Sequence, residues 1–304
     1  MTYHVPVMLN ECIDALIQNP SGIYIDCTLG GGGHSEKILQ TIDPSGVLYS
    51  IDQDPDAWAV SSERLKEFSN FNLCKGNFSS IFQLTTGKAC SVDGILMDLG
   101  VSSHQLDERE RGFSFQGDAA LDMRMNSSQE FTAYDVINHY QQHELVRIFF
   151  KYGEEKSSKK IAQDICNARM QHPIETTGKL KEVIEKSVPQ KFLTKSLARI
   201  FQAVRIEVNK ELEVLETALE HSFNLLKPGG RLVVMSYHSL EDRIVKQFIA
   251  EKERGSDNFD LPISIQPEGE RFKRITRKPI LASDDEVSEN PRARSAKLRV
   301  AEKV

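Results

Sequence analysis

Four consecutive glycines, Gly30-Gly-Gly-Gly33, stand between the apolar run Gly22-Ile-Tyr-Ile-Asp-Cys27 and a short helical stretch from Ser35 to Ile42. Glycine has no Cβ, so such a run lets the backbone reverse sharply and approach a ligand closely. A strand that enters a glycine turn and leaves it as a helix is the opening unit of a doubly wound α/β sheet, and such sheets bind ligands at the carboxyl ends of their strands. The alternation continues. Asp43-Pro44-Ser45-Gly46 closes the helix, and Val47 to Asp52 reads as a second strand. Pro55 suits the first turn of a helix running to about Phe68. Phe71 to Lys75 and Asp93 to Asp98 read as a third and a fourth strand. Apolar strands separated by helices imply a parallel sheet covered on both faces.

Beyond Gln105 the pattern changes. Thr132-Ala-Tyr-Asp135 opens a helical stretch through Phe150, followed by amphipathic stretches over Glu154 to Met170 and Thr177 to Ser187. We expect an inserted helical domain over 106–194, with the α/β core made of 1–105 and 195–304. Leu197, Ile200, Val204, Val208, Leu212, Leu215 and Leu219 recur at helical spacing, which predicts one long helix ending near Leu226. Lys227-Pro-Gly-Gly230 reads as a turn, Arg231 to Ser236 as a strand, and Ser295 to Val300 as a last strand.

Composition excludes some classes. No run of about 18 apolar residues is present, so no membrane-spanning helix is expected. The start, Met1-Thr-Tyr-His-Val-Pro6, lacks a basic end followed by an apolar stretch, which argues against a secretory signal. The five cysteines are scattered and form no CxxC pair. Reduced, mostly buried thiols in a cytoplasm are therefore expected rather than disulfides or a zinc site. A net charge of −6 does not mark a general phosphate binder, although basic residues crowd Arg271 to Lys278 and Arg292 to Arg299.

The ligand class follows from where the carboxylates fall. A dinucleotide turn would read G-x-G-x-x-G, and counting from Gly30 puts Ser35 at the last place, so the fit is imperfect. An acidic residue at the strand end with glycines four and six places on matches an S-adenosylmethionine turn, whose ligand has no pyrophosphate. Asp52 lies twenty residues past Gly32 at the end of the second strand. A carboxylate there can accept both ribose hydroxyls of an adenosine, which serves NAD and S-adenosylmethionine alike. Asp54, before Pro55, is expected to cap a helix rather than hold a metal. Asp98 ends the fourth strand, where a methyl acceptor would meet the donor. Ser236 and His238 leave another strand at the same sheet edge.

These segments together resemble the family of ribosomal RNA small-subunit methyltransferase H, the cytosine-N4 methyltransferases of bacterial ribosomes. The resemblance is carried by His4-Val-Pro-Val7, Asp26 to Ser35, Asp52-Gln-Asp54, Asp93 to Asp107, Arg111-Gly-Phe-Ser-Phe115 and Leu121-Asp-Met-Arg-Met125. It continues through Phe201 to Glu211, Pro228 to Arg243 and Asn290 to Leu298, in order along nearly the whole chain. Ala120 stands where the family usually has Pro, and Tyr237 where it often has Phe.

The resemblance implies a Rossmann-like class I methyltransferase sheet with an inserted helical domain, and S-adenosyl-L-methionine as cofactor. It implies that Gly32, Gly33, His34, Asp52, Phe78, Asp98 and Gln105 line the cofactor pocket. Small-subunit (16S) ribosomal RNA is the implied partner, and the acidic charge favours an assembled 30S particle over naked RNA. No membrane partner is expected, and a homodimer is left open. A cytosine amine is a poor nucleophile because its lone pair is delocalised into the ring. An acceptor on its N–H would counter that, and Asp98 is the leading candidate, with His238 and Ser236 behind it. An NAD-dependent oxidoreductase and a non-catalytic RNA-binding assembly protein are the rival readings, separable by equilibrium binding of the two cofactors and by methyl transfer to small subunits.

Overall fold

The computed structural model describes residues 6–254 and 269–304. Residues 1–5, which carry His4 and Val5 and most of the stretch read for a signal, lie outside the described residues. In chain order the elements are α1 (Leu9–Leu16), β1 (Ile23–Asp26), α2 (Gly33–Thr41), β2 (Val47–Asp52), α3 (Pro55–Arg64), β3 (Phe71–Lys75), α4 (Ile81–Leu84) and β4 (Val92–Asp98). They continue as α5 (Ser103–Asp107), α6 (Ala133–His139), α7 (Gln142–Lys151), α8 (Ser158–Arg169), α9 (Thr177–Ser187) and α10 (Gln190–Asn209). The chain ends with α11 (Glu211–Leu225), β5 (Leu226–Ser236), α12 (Ser239–Arg254), β6 (Phe272–Arg274), β7 (Ile280–Leu281), α13 (Asp284–Glu289) and β8 (Lys297–Lys303). Two compact units result: Met1–Gly100 with Leu212–Val304, and Val101–Glu211.

The first unit is a sheet in the order β3-β2-β1-β4-β5-β8-β6, with β7 paired to β8. Strands β1 to β5 run parallel to their neighbours, whereas β8 is antiparallel to β5. Side chains alternate across the sheet with the period of two that strands impose. On one face Ile25, Ile51, Ile95, Met97, Leu232 and Val234 pack with Leu215, Leu219 and Phe223 of α11 and Val245 and Phe248 of α12. On the other, Tyr24, Leu48, Leu96, Val233 and Met235 pack with Cys12, Ile13 and Leu16 of α1 and Ile38 and Leu39 of α2. Burial on both faces is why these strands read as continuous apolar runs. It is also what holds their carboxyl ends at one sheet edge.

Strand β5 begins earlier than the expected Arg231. Val92 pairs with Leu226 and Gly94 with Arg231, so Pro228, Gly229 and Gly230 form an irregularity inside the ladder rather than a turn before it. The expected long helix ending near Leu226 is two helices. Lys210 adopts a left-handed conformation (φ 51°) and its N–H bonds to the Ile206 carbonyl. Both helices bury one apolar face, so the periodic pattern runs on through a reversal confined to one residue. The stretch from Thr132 to Phe150 is likewise two helices, α6 and α7, the second started by a Gln141–Glu144 capping box.

The second unit is helical, its only described β contact being an isolated bridge from Ala120 to Thr176. Buried Leu145, Ile148, Phe149, Ile161, Ile165, Leu180, Ile184, Leu197 and Ile200 form its interior. Three of the segments behind the resemblance meet here. Buried Asn209 accepts from Met125 N (2.8 Å) and donates to the carbonyls of Met123 (2.8 Å) and Arg205 (2.9 Å). Arg111 donates to the carbonyls of Arg124 and Met125. Replacing Asn209 by Ala removes its hydrogen bonds to two backbone groups of the 121–125 segment. The expected loss of stability is about 2–4 kcal/mol, visible as a lower urea midpoint at unchanged slope; a midpoint equal to the parent's would contradict it.

Among the described residues no helix is long and apolar enough to cross a membrane. The cysteines are free. Cys12, Cys27 and Cys74 are buried and Cys166 is half-buried, while Cys90 departs from the expectation of burial and is exposed.

Candidate active site

The carboxylates singled out in the sequence all stand at the carboxyl ends of adjacent parallel strands of the first unit. Asp26 ends β1, pairing in register with Ser50 and Leu96, while Asp52 and Asp98 lie two residues further along the flanking strands. Asp26 is fully buried and committed within the turn. It accepts from Thr28 N (3.0 Å) and from the Ser35 hydroxyl (2.7 Å). The Ser35 hydroxyl also meets that of Ser50 at 2.7 Å. The acidic residue of the glycine motif therefore braces the turn from behind.

The turn itself is fixed. Gly32 sits at φ +77° immediately before α2, a conformation that costs other residues strain. A Cβ on Gly33 would lie 2.3 Å from Cγ of Pro6. Arg64, the last residue of α3, donates to the Gly31 carbonyl (3.0 Å) and pairs with Glu36 on α2. Helix α2 thus starts at Gly33, two residues ahead of the expected Ser35, so the backbone N–H groups of its first turn open at the sheet edge.

Asp52 faces this turn. One carboxylate oxygen accepts from Gly30 N (2.8 Å) and the other from Asp54 N (2.9 Å). Its own carbonyl accepts from the Trp58 indole (2.7 Å) and from Gly76 N (2.9 Å). Burial pushes the Asp52 carboxyl up to about 6, against the two backbone hydrogen bonds that hold it down. Each oxygen retains a lone pair beyond these bonds, which is the capacity a vicinal diol needs. Asp54 caps α3, its side chain accepting from Asp56 N. Nothing in the sequence pattern pointed to Trp58, which locks the Asp52 peptide; a lone tryptophan on a helix has no motif around it.

Phe78 follows β3 and starts a short 3₁₀ turn capped by Asn77, whose side chain accepts from Ser79 N (2.9 Å) and donates to Gln53 (2.9 Å). The ring is half-buried against the α11 face of the sheet. His221 on α11 bonds the Ser79 carbonyl at 2.8 Å and holds the turn in place.

Asp98 gathers the most connected cluster. Its backbone N donates to the Thr28 hydroxyl (2.7 Å). Its Oδ1 accepts from the Tyr237 hydroxyl (2.8 Å), and its Oδ2 lies 3.7 Å from His34 Nδ1. The other nitrogen of His34 meets the Val7 carbonyl at 3.2 Å. A carbonyl only accepts, so Nε2 carries the hydrogen and Nδ1 faces the carboxylate. Burial raises Asp98 to about 6, opposed by His34 and by the Tyr237 hydrogen bond. A half-buried carboxyl raised to about 6 beside an imidazole is mostly ionised at neutral pH and is suited to taking up a proton there.

The other expected catalytic groups turn elsewhere. The Ser236 hydroxyl lies 3.5 Å from the Lys297 carbonyl on β8. His238 Nε2 lies 3.1 Å from Glu241 of α12, and the same glutamate accepts from the backbone N–H groups of Tyr237 and His238. Gln105 belongs to the second unit, where it is buried and closes a capping box with Ser102. The basic segments are partly internal as well: Arg299 is buried against Asp242 (2.7 Å), which Lys297 also approaches, and Arg274 pairs with Glu253. Lys273, Arg277, Lys278 and Arg294 remain exposed.

Comparison with known proteins adds sequence kinship to this geometry. The MraW methylase family matches residues 1–304. The ribosomal RNA small subunit methyltransferase H of Clostridium botulinum strain Loch Maree is 49% identical, covering 99% of both chains. The protein of the same name from Flavobacterium johnsoniae is 48% identical over 100% of this chain and 99% of its own. The one from Fusobacterium nucleatum is 47% identical over 99% and 97%.

Proposed function

The chain belongs to the MraW methylase family, and from that membership we propose that it methylates the exocyclic N4 of a cytidine in small-subunit ribosomal RNA, using S-adenosyl-L-methionine. The observation that carries this is full-length kinship, at 47–49% identity, with proteins named for that RNA. The site fits the cofactor by its donor and acceptor set. The Asp52 carboxylate has lone pairs for a ribose diol, and the Gly30–Gly33 turn presents backbone uncovered by side chains of its own. Phe78 offers a ring for adenine to pack on. Gly32 and Gly33 belong to this turn and His34 follows it, and the same reading assigns Gln105 to the cofactor.

When bound, S-adenosylmethionine supplies a methyl carbon already activated on a sulfonium. The chain's own residues then have three tasks: to orient the amine, to exclude water, and to take up a proton. Methyl transfer joins carbon to N4, returns the electrons of the broken C–S bond to sulfur, and releases one N4 proton. Asp98 is the acceptor for that proton. His34 stands behind it with Nδ1 directed at Oδ2. Ser236 and His238 are secondary candidates, each engaged with a protein partner in this structure. The cytosine must leave its stack to reach such a site.

The assembled small subunit is the preferred substrate. A net charge of −6, with Arg299 and Arg274 held by carboxylates, gives a weak general grip on phosphates. Labelled cofactor offered with assembled subunits and with naked 16S RNA tests this: transfer to the particle is expected to exceed transfer to the RNA. A mass-spectrometric map of methylated cytidines, with and without the protein, tests the reaction itself. An unchanged map would reject the proposed function.

A further inference from the structure

The Asp98 carboxylate is not symmetric in its surroundings: Oδ1 meets the Tyr237 hydroxyl and Oδ2 faces the His34 imidazole. Tyr237 lies just past β5, with its backbone N–H held by Glu241 Oε2 at 2.9 Å. Its ring passes over Gly100, where an added Cβ would stand 3.6 Å from Cδ2. The phenol therefore has a fixed position, and its hydroxyl ends 2.8 Å from Asp98 Oδ1. We propose that Tyr237 is a positioning residue for methyl transfer, whose hydroxyl occupies Asp98 Oδ1, sets the acid strength of the carboxyl, and leaves Oδ2 as the oxygen that takes the proton. The inference rests on the reading of Asp98 as acceptor, and goes beyond it by assigning a partner and an oxygen.

Three observations support it. Burial and the neighbouring Asp98 raise the Tyr237 phenol well above its ordinary range, so it stays a hydroxyl and donates throughout the working pH range. A hydrogen bond to the charged form favours that form, so the phenol opposes the desolvation that would otherwise keep Asp98 protonated. The remaining groups around Asp98 do not substitute for it. Asp26 on β1 and Glu241 on α12 disfavour the charge, while His34 on α2 favours it from the Oδ2 side. Cys12 on α1 is a thiol kept protonated by burial and by Asp98 itself. Tyr237 is thus the neutral donor on the Oδ1 side.

The test is Tyr237→Phe, which keeps the ring and removes the hydroxyl. With donor and acceptor saturating, the acid limb of kcat is expected to move up by about one pH unit. At pH values below both limbs this is about a tenfold loss of turnover, with the two rates converging at alkaline pH. Affinity for S-adenosylmethionine and the melting temperature should stay near the parent's, and Asp98→Glu should not restore the original limb. Placing 3,5-difluorotyrosine at position 237 alone, a stronger donor, should move the limb down, and this arm holds even if the phenylalanine variant folds poorly. An unmoved limb in both variants, with Asp98→Asn inactive, overturns the role of Tyr237 while leaving Asp98 as acceptor. A fully active Asp98→Asn overturns both.

Discussion

Asp98→Asn is expected to lower methyl-transfer turnover by about 10²- to 10⁴-fold, the usual contribution of a positioned general base, while losing far less in donor affinity. The amide matches the carboxylate in size, and its oxygen can still accept from the Tyr237 hydroxyl now seen at 2.8 Å. What it lacks is the capacity to take a proton. The parent should also show a matching pH dependence. Asp98 is raised to about 6 by burial, so the proton acceptor is present above that value and disappears as pH falls through it. The kcat/KM of the parent should therefore decline on the acid side of about pH 6, and the residual activity of the asparagine variant should not report Asp98 there. Single-turnover transfer with saturating cofactor separates chemistry from binding. Full turnover in the variant would exclude Asp98 as acceptor.

Asp52→Ala is expected to act on binding instead. The carboxylate anchors Gly30 N at 2.8 Å and Asp54 N at 2.9 Å and has lone pairs left for two ribose hydroxyls. Hydrogen bonds to a charged group contribute about 1.5–3 kcal/mol each, so losing a pair weakens cofactor binding by about 10²-fold or more. Turnover at saturating cofactor should fall much less, because Asp52 touches nothing that changes charge during transfer. Calorimetric titration measures the first effect and kcat the second. Asp52 is itself raised to about 6, so below that pH it gains a proton and loses acceptor capacity. Cofactor affinity of the parent should accordingly weaken on acidification, and that dependence should vanish in the alanine variant. An unchanged dissociation constant would remove Asp52 from the cofactor site.

Much of this was legible because it depends on spacing along the chain. A strand, a glycine turn and a helix follow one another within Ile23 to Thr41, and the carboxylates at 26, 52 and 98 each close an apolar run. Burial on both faces of the sheet writes itself as continuous hydrophobicity, so β1 to β4 could be placed to within a residue or so. Boundaries that hang on one residue's backbone could not. The break at Lys210 and the irregularity around Gly229 lie within or beside segments whose apolar pattern is uninterrupted. The basic segment near Arg299 was misleading for another reason. Charge counts do not reveal which cations are already paired, and Asp242, 57 residues earlier, holds this one.

The sequence by itself determined the class of sheet, the placing of the glycine turn and the strand-end carboxylates and, through its resemblance to a family, methyl transfer to ribosomal RNA. Glycines, strand-end carboxylates and periodicity are local properties, and local properties survive in a linear reading. Tertiary structure alone decided how those carboxylates are used. Asp26 turned inward to brace Ser35, Asp52 was fastened to Gly30, and Asp98 was drawn between Tyr237 and His34, residues separated from it by 139 and 64 positions respectively. Proton affinity depends on burial and on neighbours within a few ångströms, and only the folded chain assembles those neighbours.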